Sequence, residues 1–283
     1  MAEVKWKEEN KIQKTKIEWA LNPDGTPGYT WNPITGCLNG CPYCYARKLA
    51  NGRLRSRYLA NKNMSPDYMA INKAYNRTDL GPFDDPFYPR AWPTKFVELG
   101  NPSVKDLNHV GPPNQKGIFV CSMSDLFGIG VPVEWINVVM ATIRINPQHR
   151  FYLLTKQPQN LQNFSPFPNN AWVGVSCTNR VQTNEAGFWL RNITAGLKFI
   201  SFEPLLEHIP LQIDNFVEEG VQGLGWAIIG AQTNPYLCPD MVWVGDITRA
   251  CIKAEIPVFH KDNLYMITPK LQQMPKEVQY AGR

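Results

Sequence analysis

Three cysteines lie close together near the start of the chain, in the stretch GYTWNPITGCLNGCPYCYARKLA at residues 28–50. Cys37, Cys41 and Cys44 have the spacing C-x3-C-x2-C. A structural zinc site needs four ligands, and a catalytic zinc site needs three plus water. A [4Fe–4S] cluster usually binds four thiolates, and three closely spaced cysteines would leave its fourth iron open. From the residues alone, zinc, a cluster and chance spacing all stay open.

A repeating pattern of apolar runs predicts the elements that must position these cysteines. Each run ends in polar residues and is followed by a helix-compatible segment, and spacings of roughly 20 to 35 residues leave room for crossover helices. The runs are 117–121, 150–155, 171–177, 197–202, 226–231 and 256–260, with an earlier strand at about 29–35 and helices at 132–146, 182–193 and 240–254. Near-continuous apolar strands are typical of a parallel sheet. We predict an α/β fold, either a partial barrel or an open sheet.

Polar residues follow each predicted strand. In a parallel α/β layer the carboxyl ends of the strands share one edge, where such folds bind ligands. The residues are Ser122, Ser124 and Asp125; Lys156; Ser176, Thr178 and Asn179; Glu203; Gln232 and Asn234; Lys261 and Asp262. We expect them to converge beside the cysteine motif.

The pattern predicts one domain over residues 1–283. It includes an N-terminal extension at about 1–28, an insertion at about 51–115 and a tail at about 265–283. The insertion is rich in Pro, Asn and aromatic residues and is too long for an ordinary loop, so we expect an ordered segment with short helices. Residues 269–283 are expected to form a short helix and tail.

Composition excludes several classes of protein. Of the 283 residues, 43% are hydrophobic and 19% are charged, and the net charge of +5 permits an anionic partner without requiring one. No run approaches the ~20 apolar residues of a membrane span, and the charged N-terminus is unlike a secretory signal. We expect a cytoplasmic protein with no membrane partner, and the odd count of seven cysteines argues against a disulfide framework.

The motif with an aromatic residue before its third cysteine (Tyr43) resembles the signature of the radical S-adenosylmethionine (SAM) superfamily. Other segments resemble one phage-associated branch, described only as radical SAM-like proteins of uncharacterised function and distantly akin to the DNA-repair photoproduct lyases. They are KIEW (16–19), TWNPITGC (30–37), CPYCYA (41–46), FYPRAWP (87–93), VCSMSDLFG (120–128), FYLLTKQP (151–158), WVGVSC (172–177), FISFEPLLE (199–207), WAIIGA (226–231) and PVFHKDNL (257–264). Two stretches depart from the branch: an extra loop at 20–29, and AQTN at 231–234 in place of a Gly-Gly-Glu-Ser-like run.

The resemblance implies a partial (βα)6-type TIM barrel with a [4Fe–4S] cluster bound by Cys37, Cys41 and Cys44, and SAM as the ligand of the fourth iron. It implies that the cluster, reduced by a donor such as flavodoxin or ferredoxin, cleaves SAM to a 5′-deoxyadenosyl radical that abstracts hydrogen from a substrate. A nucleic acid or nucleoside is the substrate class that we favour. The alternatives are a radical SAM enzyme acting on a peptide or partner protein, and a non-enzymatic metal-binding module.

The resemblance also suggests roles for the residues after the strands. We expect SAM to contact Tyr43 and the polar residues Ser122, Ser124, Asp125, Lys156, Ser176 and Glu203. Lys156 and Lys261 are candidates for holding an anionic substrate or the SAM carboxylate. Cys121 and Cys177, at two strand ends, are candidate catalytic hydrogen-atom donors.

A nucleic-acid partner would require positive charge beside the cysteines. The nearest basic residues in sequence are Arg47, Lys48, Arg53, Arg55 and Arg57. Asn51-Gly52 is expected to end the helix after the motif, which would let the last three arginines turn toward the site. The aromatic residues Phe87, Tyr88 and Trp92, beside Arg90, are candidates for stacking on exposed bases.

Overall fold

The computed structural model describes residues 12–66, 83–99, 115–210, 224–265 and 269–276. The chain divides into two compact units, Met1–Leu153 and Leu154–Arg283. The fold is mixed α/β, with central strands that pair mostly in parallel. The prediction of a single domain stays a prediction. No helix in the described part of the chain has the length and apolar character needed to cross a membrane.

The first unit is built on a short run of paired strands. Its strands are β1 (Gln13–Lys14), β2 (Tyr29–Trp31), β3 (Ile34–Thr35), β4 (Arg90–Ala91), β5 (Gly117–Val120) and the first part of β6 (Arg150–Thr155). Its helices are α1 (Tyr45–Asn51), α2 (Arg55–Ala60), α3 (Pro93–Phe96) and α4 (Val133–Arg144). β2 pairs in parallel with β5, and β5 with β6, while β1 is antiparallel to β2. β3 and β4 form a separate antiparallel pair.

The second unit continues the α/β pattern. Its strands are β7 (Ala171–Ser176), β8 (Leu197–Phe202), β9 (Leu224–Ile229), β10 (Gln232–Thr233), β11 (Tyr236–Leu237) and β12 (Val258–His260). A 3-10 helix at Pro158–Phe164 and the helices α5 (Arg180–Arg191) and α6 (Met241–Lys253) lie between them. β7, β8, β9 and β12 pair in parallel in that order. β10 and β11 form a short hairpin directly after β9.

Buried aromatic side chains fill the core of each unit. In the first unit Trp19 packs on Phe119 and Tyr152, with ring centroids 4.9 and 5.6 Å away. In the second, Trp226 packs on Trp172 and Phe199 at 5.9 and 5.6 Å. The apolar runs are buried along their length because helices or loops cover both faces of a parallel layer.

The predicted first strand, 29–35, is in fact two strands. Pro33 has no N–H to donate to a ladder, and the side chain of Asn32 accepts hydrogen bonds from Ser122 Oγ at 3.2 Å and Met123 N at 3.0 Å. The chain therefore leaves the sheet after Trp31 and starts the β3–β4 pair. The cysteines follow β3 on a loop, after the strand as predicted.

The sequence predicts an ordered insertion with short helices at about 51–115 and a short helix and tail at 269–283. The described part of the insertion is ordered and contains the short helices α2 and α3 together with β4, as expected; residues 67–82 and 100–114 lie outside the described residues. The helix expected within 269–283 is wrong for 269–276. Gln273 N donates to Val258 O at 2.9 Å, so this segment runs extended along β12. Residues 277–283, and 1–11 of the N-terminal extension, lie outside the described residues.

Candidate functional site

The three cysteines lie on one short segment, residues 36–44, which we call the cysteine loop. It begins after β3 and ends at Cys44, the N-cap residue of α1. Cys37 Sγ accepts from Asn39 N at 3.4 Å, and Cys44 Sγ accepts from Arg47 N at 3.3 Å. Backbone N–H groups that point at sulfur stabilise thiolates and tune iron–sulfur centres. The loop thus presents three thiols, two of which already accept N–H donors.

A turn after β5, Ser122–Asp125, lies directly against the cysteine loop. Gly36 N donates to Met123 O at 2.9 Å, and Ser124 Oγ donates to Gly36 O at 2.5 Å. Asn39 Nδ2 donates to Asp125 Oδ2 at 2.9 Å. Two of the residues predicted to bind SAM, Ser124 and Asp125, are therefore brought to the cysteines, and both also support the loop itself.

The electrostatic environment of Cys37 opposes a bare thiolate. Burial, together with the nearby carboxylate of Asp125, raises the pKa of Cys37 to about 12, while the Asn39 N–H acts in the opposite direction. A bound metal centre reverses this balance, because its positive charge favours the deprotonated sulfur. Cys37 therefore keeps its proton at neutral pH unless a cation is bound.

Part of the insertion supports the loop from another side. Cys37 N donates to Phe87 O at 2.9 Å, and Phe87 joins a buried apolar cluster with Ala46, Ala50 and Tyr58 against which Cys37 and Cys44 pack. Gly36 has φ +91, and an added Cβ would lie 2.3 Å from Tyr88 O. Only glycine fits this position without displacing the backbone.

The expected base-stacking surface on the insertion is wrong. Phe87 and Tyr88 are buried, and Arg90 is buried with its Nη1 donating to Tyr88 O at 2.8 Å. Trp92 is half-buried, its Nε1 donates to Thr35 Oγ1 at 2.8 Å, and the guanidinium of Arg57 lies 5.3 Å from its ring centroid. These side chains hold the insertion in place, because the aromatic run is core material rather than exposed loop.

The basic residues after the motif separate into two groups. Arg47 is half-buried against the cysteine loop, whereas Lys48, Arg53, Arg55 and Arg57 are exposed. α1 ends at Asn51 with Gly52 as its C-cap, as predicted. A role for the exposed arginines in binding nucleic acid stays a prediction.

Two residues at the site, Asn39 and Tyr45, were not predicted from the sequence, and a third, Arg47, was named only for its charge. Asn39 and Arg47 contact the cysteine sulfurs through their backbone N–H groups. The side chain of Asn39 donates to Asp125, and that of Arg47 donates to Cys37 O. Tyr45, half-exposed, donates its hydroxyl to Ser122 O at 2.5 Å. The sequence pattern points to Tyr43, the aromatic residue before the third cysteine, whereas in the structure the next aromatic residue, Tyr45, bonds to the Ser122–Asp125 turn. Local sequence gave no signal for the contacts of Asn39 with Asp125 and of Tyr45 with Ser122, since these partners lie far along the chain.

The second unit has its own cluster of polar side chains at strand ends. Lys156 Nζ donates to Ser176 Oγ at 2.6 Å, and Ser176 Oγ donates to Glu203 O at 3.0 Å. Lys261 forms an ion pair with the Glu203 carboxylate. Gly230 lies against this pair, since an added Cβ would come within 2.8 Å of Lys261 Cδ. Within this unit the predicted convergence of Lys156, Ser176, Glu203 and Lys261 is confirmed.

The hairpin after β9 is attached to the loop after β12. Asn263 Oδ1 accepts from Ala231 N at 3.0 Å, and Asn263 Nδ2 donates to Ala231 O at 2.8 Å. Tyr236 OH donates to Asn263 O at 3.1 Å. The AQTN stretch therefore has a defined conformation.

The two candidate hydrogen-donor thiols are both buried. Burial raises the pKa of Cys121 and of Cys177 to about 12. Cys121 has a positive φ of 56°, and Cys177 Sγ donates to Gln182 O at 3.4 Å. Both thiols are therefore protonated, as a hydrogen-atom donor requires, but neither is open to solvent.

The described residues contain no group of three His, Cys, Asp or Glu side chains arranged to hold a single metal ion.

Comparison with solved structures defines the class of fold. A mutant of spore photoproduct lyase matches with a TM-score of 0.51 at 12% identity, over 89% of this chain and 79% of that one. Spore photoproduct lyase with bound AdoMet and dinucleoside spore photoproduct matches with 0.47 at 14% identity, over 87% and 65%. Its complex with the dinucleoside alone matches with 0.46 at 12%, over 80% and 59%. The chain thus spans less than two thirds of these last two proteins, and the first match shows a shared α/β fold.

The family is shown by a match over almost the whole sequence. The chain belongs to the family described as "Protein of unknown function (DUF5131)", whose model matches residues 14–281. No protein with a curated description matches the chain.

Proposed function

We propose that this protein is a radical SAM enzyme. The observation that carries the proposal is the cysteine loop: Cys37, Cys41 and Cys44 lie on one segment before α1, and two of their sulfurs accept backbone N–H groups. The shared fold with spore photoproduct lyase supports it. The proposal includes two further points: that the fold is a partial (βα)6 barrel, and that the protein is of the phage-associated branch of the superfamily.

The residues present fit a [4Fe–4S] cluster. Three thiolates would bind three irons and leave one iron for SAM, and the N–H groups of Asn39 and Arg47 would donate to the ligating sulfurs. When bound, the reduced cluster supplies the electron that cleaves SAM to methionine and a 5′-deoxyadenosyl radical, which abstracts hydrogen from the substrate. Flavodoxin or ferredoxin is the proposed electron donor.

The residues beside the loop are proposed to hold SAM. Asp125 is buried next to Cys37 and keeps a carboxylate there, which suits a cationic amino group. Ser122, Ser124 and Tyr43 are the other proposed contacts in the first unit. A contact between SAM and Lys156, Ser176 or Glu203 stays a prediction, and so does hydrogen donation by Cys121 or Cys177.

A nucleic acid or nucleoside is the proposed substrate class. The net charge of +5 and the exposed arginines Arg53, Arg55 and Arg57 support an anionic substrate. A peptide or partner protein is the alternative. Fluorescence anisotropy with short DNA or RNA at two salt concentrations separates them, since phosphate contacts weaken steeply with salt.

The decisive experiment is anaerobic reconstitution with iron and sulfide. We expect about four irons per chain, a reduced-state electron paramagnetic resonance (EPR) signal that SAM alters, and 5′-deoxyadenosine after reduction with dithionite. Cys37→Ala, Cys41→Ala and Cys44→Ala should each lose most of the iron. Cys238→Ala, which removes a partly exposed thiol outside the loop, should keep it.

Two results would contradict the proposal. One is full iron and sulfide content in all three loop variants. The other is tightly bound zinc with no cluster after reconstitution, which would favour a metal-binding module without this chemistry.

A further inference from the structure

Arg47 makes an unusual set of contacts with the cysteine loop. Its backbone N donates to Cys44 Sγ at 3.3 Å, while its guanidinium Nη2 donates to Cys37 O at 2.9 Å. One residue thus contacts both the first and the third cysteine. The two cysteines are seven positions apart, so these contacts constrain how the loop closes.

The guanidinium is itself held in place. Its Nη1 lies 3.4 Å from Asp85 Oδ2, and its Cζ lies 5.0 Å from the centroid of the Phe87 ring. The side chains of Arg47 and Asp85 are only 23% and 8% exposed. Asp85 Oδ1 also accepts a hydrogen bond from Phe87 N at 2.8 Å, which fixes the orientation of the carboxylate.

These contacts need the shape of arginine. A guanidinium presents donors in a planar fork that can bond a carbonyl and a carboxylate at once while its face lies over an aromatic ring. An ammonium group is a single point charge and cannot reproduce this arrangement. Lysine at this position would keep the charge but lose the geometry.

We propose that Arg47 is a positioning residue that fixes the separation of Cys37 and Cys44 and places its guanidinium, which is paired with Asp85, against the backbone carbonyl of the first cysteine. This inference rests on the proposed function, because the positioned group is the cluster. The charge of this guanidinium makes the cluster easier to reduce, since reduction adds negative charge and a nearby cation favours the reduced form. The hydrogen bonds from Arg47 to Cys37 and Cys44 hold the loop closed and so slow the loss of iron.

Three variants separate charge from geometry. Arg47→Met removes both, Arg47→Lys keeps the charge without the fork, and Lys48→Met removes an exposed charge from the adjacent position of α1. Each protein is made as the full chain and measured in its apo form and after reconstitution. Neither form is assayed for turnover.

The first measurement is hydrogen exchange of residues 36–47 in the apoprotein, which needs no cluster. We expect faster exchange in Arg47→Met and Arg47→Lys, and no change in Lys48→Met. The second is the rate of iron loss to a chelator, which should rise in both Arg47 variants.

The third measurement is the midpoint potential from an EPR-monitored redox titration. We expect Arg47→Met to lower the ratio of reduced to oxidised cluster about tenfold at a fixed potential, a shift of about 59 mV. Arg47→Lys should retain most of the wild-type potential, an outcome that a purely structural role would not give.

Equal exchange and iron loss in Arg47→Met and Lys48→Met would overturn the positioning role. Equal midpoint potentials in these two variants would overturn the charge role. If the wild-type chain takes up no cluster, the proposed function and the charge role both fail, and the exchange data alone decide whether Arg47 positions the loop.

Discussion

Replacing Gly36 by alanine should damage the cysteine loop far more than the same change at Gly25. Both glycines have positive φ, +91 and +81, so alanine costs about 1–2 kcal/mol at either position from backbone strain alone. At Gly25 an added Cβ meets no atom within 4 Å, whereas at Gly36 it lies 2.3 Å from Tyr88 O. Both variants carry the backbone strain, but only Gly36→Ala adds a steric clash.

The clash has a definite structural consequence. To accept a Cβ at van der Waals distance, Tyr88 O must move by about an ångström, which breaks its 2.8 Å hydrogen bond from Arg90 Nη1. A buried hydrogen bond to a charged group is worth about 1.5–3 kcal/mol. We therefore expect Gly36→Ala to lower the free energy of unfolding by about 2.5–5 kcal/mol and Gly25→Ala by about 1–2 kcal/mol.

Thermal unfolding of the apoproteins measures this difference. A loss of one kcal/mol of stability lowers the melting temperature by about 2–4 °C for chains of 150–250 residues. Gly36→Ala should therefore melt about 10 °C below the wild type and Gly25→Ala about 4 °C below. Gly36→Ala should also bind less iron after reconstitution, while Gly25→Ala should bind the wild-type amount. Melting temperatures that agree within about 1 °C would refute the argument that Tyr88 O fills the space beside Gly36.

Three further predictions follow from other residues of the first unit. Asp125→Asn should speed iodoacetamide labelling of Cys37 in the apoprotein, because the carboxylate raises the pKa of that thiol; an unchanged rate would contradict it. Cys121→Gly should melt no lower than Cys121→Ala, the reverse of the usual order, because φ at this position is +56 and disfavours alanine. Burial and the charge of Lys116 lower the pKa of His149 from 6.5 to about 4. As the pH falls, His149 therefore takes up its proton in the unfolded chain before it does so in the folded protein. The free energy of unfolding falls between pH 6.5 and about 4, by at most about 3 kcal/mol. His149→Gln should lessen this acid sensitivity in urea unfolding, and an unchanged sensitivity would contradict the prediction.

The strands were well predicted because burial on both faces leaves a direct trace in the sequence. The runs at 150–155 and 197–202 match β6 and β8 residue for residue, and the helix predicted at 240–254 is α6 within one residue at either end. The predicted strand at 29–35 failed at Pro33. Its missing N–H was visible in the sequence, but the hydrogen bonds from the Ser122–Asp125 turn to Asn32 were not.

The site was predictable only where its chemistry is local. The spacing of Cys37, Cys41 and Cys44 is a local property, and so is the position of Ser122–Asp125 after a strand. The contact between Arg47 and Asp85 joins residues 38 positions apart, and nothing in either neighbourhood indicates it. From composition we predicted that Phe87 and Tyr88 are exposed, but both are buried. A stretch rich in Pro and aromatic residues is typical of an exposed loop as well as of a buried support.

The support of the cysteine loop by distant segments sets the order of events during synthesis. Cys37 N bonds to Phe87 O, 50 residues later, and Gly36 bonds to Met123 and Ser124 later still. Loop closure over such separations comes after local helices form. A nascent chain that has emerged only to residue 60 carries all three cysteines, Asn39 and Arg47, but lacks Phe87 and the Ser122–Asp125 turn. Iron delivered at that stage would meet a flexible peptide. Under the proposed function, stable insertion of the cluster would therefore come after residue 125 has left the ribosome, as a late step of folding.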